Sequence, residues 1–203
     1  MSARVDASDL SSLHVLEETG FLTVDGILTF ALDLKEHSAV EPVNDFKIRL
    51  ATADDAPEAA ALASTAYVYD RFHADPFIDR KLADELHANW VRNSCDGKAA
   101  DAVLLADDGS GLLGFVTCKI SGAAGHHSHS SRKGTIVLVA SAAPARGRGV
   151  GYSLTMAALE WFRQSGCETV EVGTQLSNIP ASRLYQTCGF RLKATSVSLR
   201  RLL

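Results

Sequence analysis

Between Thr135 and Gly166 the chain reads TIVLVASAAPARGRGVGYSLTMAALEWFRQSG. An apolar run leads into glycines at alternate positions, and a helical repeat follows. That order admits few folds. The run Thr135–Ala140 is continuously apolar, as in a strand buried within a sheet. Val150, Leu154, Ala157, Ala158 and Trp161 recur at the spacing of one helix face, and Gly166 supplies the stop. Gly147, Gly149 and Gly151 therefore occupy the turn between strand and helix. Glycine there lets the backbone approach a ligand with no Cβ in the way. The exposed N–H groups and the positive end of the helix suit an anion. The bland alternative is a glycine-rich turn that holds nothing.

The rest of the chain divides in two. Residues 1–45 read as a short amino-terminal segment and linker. In it, FLTVDGILTFALDL (Phe21–Leu34) has the look of a hairpin turning at Asp25-Gly26, with Leu28, Phe30, Leu32 and Leu34 alternating onto one face. KEHSAVEPVND (Lys35–Asp45) is polar and carries a proline, as a linker does. Residues 46–203 read as one domain of order β-α-α-β-β-β-α-β-α-β. Its first helix opens on Thr52 and Asp55 at capping-box spacing, with Pro57 in the first turn. A second helix is predicted over Ile78–Asn93, with Leu82, Leu86 and Trp90 on one stripe. DAVLLAD and LLGFVTCKI flank DGSG as a hairpin. Ser121–Gly134 is a predicted loop. Asn178 starts a short helix with Pro180 in its first turn, Gly189 ends it, and one or two strands close the chain.

The anion can be narrowed. A P-loop requires a lysine and a hydroxyl after its last glycine, and no lysine lies near Gly151. A dinucleotide fingerprint needs glycine at its sixth position, where Tyr152 stands. Arg146-Gly147-Arg148-Gly149-Val150-Gly151, by contrast, resembles the R-x-x-G-x-G/A loop of the GNAT superfamily of N-acetyltransferases. Asn178–Arg191 (NIPASRLYQTCGFR) resembles that superfamily's N-x-x-A-x-x-L-Y-x-x-x-G-F segment, and IRLATADDAPEAAALA resembles its opening strand and helix. The resemblance implies the GNAT acyl-CoA fold: an α/β (α+β) domain with a central mixed, mostly antiparallel sheet flanked by helices, here with a short N-terminal β-hairpin appendage. It implies acetyl-CoA as co-substrate. Val139, Ala140 and Ser141 would meet the pantetheine arm. Arg146, Gly147, Arg148, Gly149, Val150 and Gly151 would hold the pyrophosphate. Asn178, a helix N-cap on any reading, would also contact the arm.

In the resembled family, a tyrosine at the position of Tyr185 protonates the departing thiolate. A phenol, with its ordinary pKa of about 10, stays protonated at neutral pH and can do so. Without the motif, Tyr185 would read as a core tyrosine. No acid stands on TIVLVA, where many GNAT enzymes place a base. Either a base acts from elsewhere through water, or the acceptor amine is weakly basic and already partly neutral.

The acceptor site is expected within Tyr69–Gly97. Arg71, Phe72, His73, Asp75 and Pro76 cluster there, with Trp90 one helix later. An arginine and an aromatic ring could pair with and stack on a nucleotide. A surface loop followed by an amphipathic helix explains the same residues without a ligand. The stretch also resembles dTDP-4-amino-sugar (TDP-fucosamine) acetyltransferases, which implies a nucleotide-linked deoxyamino sugar as acceptor. Their amino-terminal domain is longer than the segment found here. The wider superfamily implies other amines as alternatives: an antibiotic, a polyamine, an amino acid or a protein. A non-catalytic acyl-CoA-binding domain is a third reading. A homodimer is compatible with the resemblance.

Charge and cysteines exclude other classes. A net charge of −4 and a pI near 6.0 give no nucleic-acid footprint. No apolar run reaches membrane-spanning length. The start, MSARVDASDL, has no apolar core, so no signal peptide is expected. Four scattered cysteines suggest no disulfide framework, and a cytoplasmic location is the default. His126, His127 and His129 share a Ser/Gly-rich loop with no acid or cysteine beside them, so no metal is expected.

Overall fold

Eight strands form one sheet in the computed structural model, which describes residues 1–37, 45–75, 77–122 and 132–201. In chain order the elements are β1 (Ser2–Asp6), α1 (Leu10–Glu18), β2 (Leu22–Asp33), β3 (Lys47–Leu50), α2 (Ala56–Ala66), α3 (Arg71–Ala74), α4 (Arg80–Cys95), β4 (Ala102–Asp107), β5 (Leu112–Ser121), β6 (Lys133–Ser141), α5 (Val150–Gln164), β7 (Thr169–Gln175), α6 (Ile179–Thr187) and β8 (Arg191–Arg200). The strand order is β1-β8-β2-β7-β6-β5-β4-β3. Neighbours are antiparallel except β6 and β7, which run parallel. The sheet is thus mixed and mostly antiparallel, with helices on both faces. No helix among the described residues is long and apolar enough to cross a membrane.

Side-chain alternation along the strands sorts the core into two layers. Leu104, Ala106, Val116 and Cys118 face α5, where they meet Leu154, Ala158 and Phe162. Val103, Leu105, Phe115, Leu138 and Ala140 face the other way, against Ala59 and Ala63 of α2 and Val91 of α4. A smaller cluster of Leu13, Phe21 and Leu199 seats α1 on β1 and β8.

Local signals are where the sequence puts them. The Asp55 carboxylate accepts from the backbone N–H and hydroxyl of Thr52 and from Arg49. Asn178 caps α6 through Ala181 N–H at 3.2 Å. Gly166 and Gly189, both at positive φ, end α5 and α6.

Two expectations need correcting. Phe21–Leu34 is no hairpin. Leu22–Asp33 is one continuous strand, with Leu28, Phe30, Leu32 and Leu34 alternating inward as expected. Asp25-Gly26 sits at a register shift against β8 rather than at a turn. Glycine is needed there for close approach: a Cβ on Gly26 would lie 3.3 Å from Leu176, whose N–H reaches Gly26 O at 2.7 Å. The buried face of α4 is Ala83, His87, Val91 and Ser94, not the Leu82–Leu86–Trp90 stripe. Leu82 and Leu86 are exposed, because the smaller face allows α4 to lie close against the alanines of α2. The closing segment is one strand, and β1 and α1 carry no signal that stood out in the sequence. His126, His127, His129 and Pro76 lie outside the described residues.

Candidate active site: a groove where parallel strands part

The two parallel strands stay paired only over Lys133–Ile136 and Thr169–Val172. β6 then continues to Ser141, held by β5 along its other edge, while β7 runs on to Gln175. From Val137 onward the β7-facing edge of β6 has no strand against it among the described residues. Unpaired strand edges present backbone donors and acceptors to whatever fills the gap. A groove of about 630 Å³ opens at this fork.

The glycine turn closes one end. Gly147 and Gly149 have φ of +81° and +79°, left-handed angles that L side chains rarely adopt. A Cβ at either would meet nothing within 4 Å, so shape there is set by backbone angle rather than by crowding. Gly149 is also the N-cap of α5, so the turn and the helix's positive end point to one place. Val139, Ala140, Ser141, Arg146, Gly147, Gly149, Val150, Gly151 and Asn178 all line the groove. Arg148 does not; its guanidinium reaches Asp45 at 3.1 Å and Asp108 at 3.4 Å. These features fit a diphosphate at the turn and an extended, amide-bearing chain along β6.

Tyr185 lies behind the wall formed by its neighbours Ala181 and Leu184. It is buried with its ring 6.0 Å from that of Phe30 and 5.9 Å from that of Phe190. Burial pushes its phenol well above the ordinary range. Tyr67, which the sequence reading passed over, does line the groove. Its hydroxyl is buried with no hydrogen-bond partner among the described residues, and its ring stacks on His87 at 4.4 Å. Burial raises its pKa, with Tyr185 and Asp70 adding to the effect.

The acceptor-side residues fall into separate places. Arg71, Phe72 and Asp75 line a small cleft beside Arg200, distinct from the groove. Arg71 packs its guanidinium 4.7 Å over the Phe72 ring, and Asp75 is ion-paired to Arg200. Trp90 lines a shallow, open depression on α4 that Phe72 also borders. His73 is turned inward. Its Nδ1 lies 2.5 Å from Asp70 Oδ2 and its Nε2 2.9 Å from Asp84 Oδ1. Burial alone would lower the His73 pKa, but the two carboxylates outweigh it and raise it.

One carboxylate near the fork escaped the sequence reading. Asp25 is partly buried, and its Oδ2 has no partner among the described residues. Burial raises its pKa; Gly26 N–H, the Gln175 side chain and Arg4 oppose this, and Asp70 adds to it. Gln175 and Asp70 both line the groove. A strand-turn-helix pattern can reveal a phosphate loop, but no local pattern could connect Asp25 with Gln175, since their strands meet only in three dimensions.

The comparisons agree with this geometry. The acetyltransferase (GNAT) family model matches residues 64–190. The chain is 28% identical over 202 residues to a dTDP-fucosamine acetyltransferase of Escherichia coli O6:H1, covering 99% of this chain and 81% of that protein. It is 28% identical to a mycothiol acetyltransferase of Pseudarthrobacter chlorophenolicus, covering 79% of this chain and 53% of the relative. A GCN5-related N-acetyltransferase from Sphaerobacter thermophilus superposes with a TM-score of 0.67 at 22% identity, over 98% of this chain and 58% of that one. The chain thus spans little more than half the length of two of these three proteins. With the fork, the glycine turn and the matched family model in agreement, the chain belongs to the acetyltransferase (GNAT) family, and residues 64–190 lie in an acetyl-CoA-dependent N-acetyltransferase domain.

Proposed function

We propose that this protein transfers acetyl from acetyl-CoA to the primary amine of a nucleotide-linked deoxyamino sugar of the dTDP-4-amino-4,6-dideoxyhexose type. The observation that carries the transferase half is the fork with its left-handed glycine turn. The sugar half rests on the E. coli relative, which matches along nearly the whole chain. When bound, acetyl-CoA supplies an activated thioester whose carbonyl the amine attacks.

The chain's own residues do the rest. The N–H groups at Gly147 and Gly149 and the start of α5 receive the diphosphate, with Arg146 beside them. The free edge of β6 at Val139–Ser141 aligns the arm. Asp25, whose Oδ2 is unpartnered among the described residues and whose pKa burial raises, takes the proton from the incoming ammonium through water beside Gln175. Tyr185, assigned from the family motif it occupies, gives a proton to the departing thiolate once Ala181 and Leu184, which stand between it and the groove, let the two meet. Arg71, Phe72 and Asp75 contact the nucleotide side of the acceptor.

A second reading of the acid has its own support: Tyr67 lines the groove and its hydroxyl is unpartnered. Steady-state kinetics of Tyr185→Phe and Tyr67→Phe separate the two. Loss of a general acid should lower kcat by about 10²–10⁴-fold while leaving acetyl-CoA binding near wild type. If only Tyr67→Phe loses turnover, the acid is Tyr67.

The acceptor is tested by thiol release from acetyl-CoA. The panel contains dTDP-4-amino sugars, a UDP-4-amino sugar, an aminoglycoside, spermidine, a short peptide and the acceptor of the mycothiol acetyltransferase relative. Selective release with a dTDP sugar, weakened by Arg71→Ala, is the expected result. Release with a non-nucleotide amine alone would discard the sugar.

A further inference from the structure

Asp70, which lines the groove, also belongs to a cluster that acetyl transfer does not require. Asp70, His73 and His87 each turn one donor atom toward a common point, and these atoms lie within 4.8 Å of one another. All three side chains are largely buried, at 11%, 5% and 3% exposure. Asp70 reaches the point from the N-cap of α3, where its Oδ1 already accepts from Phe72 N–H and His73 N–H. Its Oδ2 faces His73 Nδ1 at 2.5 Å and His87 Nε2 at 3.8 Å.

The outer atoms of both histidines are also committed. His87 Nδ1 donates to Ala83 O at 2.9 Å, which leaves Nε2 as its inward atom. That inward nitrogen has no hydrogen bond among the described residues and looks at a carboxylate oxygen. At 3.8 Å the two atoms are too far apart for a direct hydrogen bond, and the gap suits a cation held between them. His73 Nε2 is bonded to Asp84 Oδ1 at 2.9 Å, which leaves Nδ1 inward. One imidazole backed by a carboxylate and another backed by a backbone carbonyl is the support that metal-binding histidines carry, because it fixes the tautomer and the ring orientation.

We propose that Asp70, His73 and His87 form a three-ligand site for a divalent transition metal, Zn²⁺ by the nature of its donors, reaching the groove through Asp70. Two imidazoles and a carboxylate suit Zn²⁺, with a further position left for water. Donors around a tetrahedral Zn²⁺ with bonds of about 2.0–2.1 Å lie about 3.3 Å apart. The separations from Asp70 Oδ2, 2.5 and 3.8 Å, fall on either side of that value, and the two histidine nitrogens lie within 4.8 Å of each other, so binding requires movements of up to about 1.5 Å. The proton between His73 Nδ1 and Asp70 Oδ2 leaves to solvent as the metal enters. The ion would tie α3 to α4 and fix the strand of chain, Tyr67–Asp70, that lines the groove. The assignment stands whichever amine is the acceptor.

The test uses the full chain, stripped with a chelator and titrated with Co²⁺ as a visible stand-in for Zn²⁺. One equivalent should produce the ligand-field absorption of a low-coordinate nitrogen–oxygen site, and one equivalent of Zn²⁺ should abolish it. His73→Gln and His87→Gln should each lose the band. Asp84→Asn, which leaves all three ligands in place, should weaken binding about 10–100-fold. The triple alanine variant of His126, His127 and His129 should keep the band. Absence of a stoichiometric band in the wild type, its survival in both histidine variants, unchanged affinity in Asp84→Asn, or its loss in the triple variant would each overturn the site.

Discussion

A carboxyl group held partly out of water with an unpartnered oxygen works against folding whenever it ionises, and Asp25 is in that position. Its folded pKa is raised, so the protonated form is the one the fold favours. The associated stability is fully present below the ordinary value near 3.8 and is lost as pH rises through the raised value. Asp25→Asn should therefore raise Tm relative to wild type, by more at neutral pH than at acidic pH, in paired thermal melts. The same variant should lower kcat if Asp25 accepts the amine's proton. A Tm difference that does not change with pH would remove the ionisation argument. Single residues of this kind were the least legible part of the sequence. Asp25 read as a turn residue because Asp-Gly is a strong hairpin signal, and the strand continues because β8 pairs with it through Asp25 and Gly26 and β7 takes up its other edge from Ile27. Tyr67 was hidden for a different reason: nothing in its neighbours marks a phenol whose hydroxyl finds no partner.

At the scale of elements, the strand, glycine turn and helix from Lys133 to Gln164 were readable almost to the residue. The reason is physical: a buried strand, left-handed glycines and a helix face each leave a local pattern. Gly149 carries the strongest demand in that unit, being at once left-handed and the cap of α5. Gly149→Ala would hold an L residue at that angle at a cost of about 1–2 kcal/mol. If the turn relaxes to avoid it, acetyl-CoA affinity should fall about 5–30-fold, measured by calorimetric titration. Unchanged affinity would mean that the turn does not hold the diphosphate. The second long helix shows what periodicity leaves open. α4 carries two candidate stripes a residue apart, and Leu82–Leu86–Trp90 is the more hydrophobic. The stripe that is buried won because small side chains let α4 approach α2, a fact about the partner helix rather than about α4 itself.

For the whole molecule, the groove joins the two halves of the sheet at the one parallel step among the described residues, so a ligand bound there should stabilise the fold as a unit. Acetyl-CoA at about 100 times its Kd adds about 2.7 kcal/mol to the stability of the bound form. For a chain of this size, that should raise Tm by about 5–10 °C in a thermal-shift series. No shift at saturating acetyl-CoA would count against the groove as its site. The mixed sheet followed from the GNAT resemblance, but the places of β1 and β2 did not, because their partners, β7 and β8, lie far along the sequence. β2 lies between β7 and β8. Emerging from a ribosome at about 5–20 residues per second, it must wait roughly 7–28 s for β7 to be made. During that interval Phe30 and Leu32 belong to an apolar strand with neither edge matched. Synthesis from the amino terminus therefore leaves the centre of this sheet unfinished until β7 and β8 have been made, and slow translation lengthens the time in which that strand can pair with another chain instead.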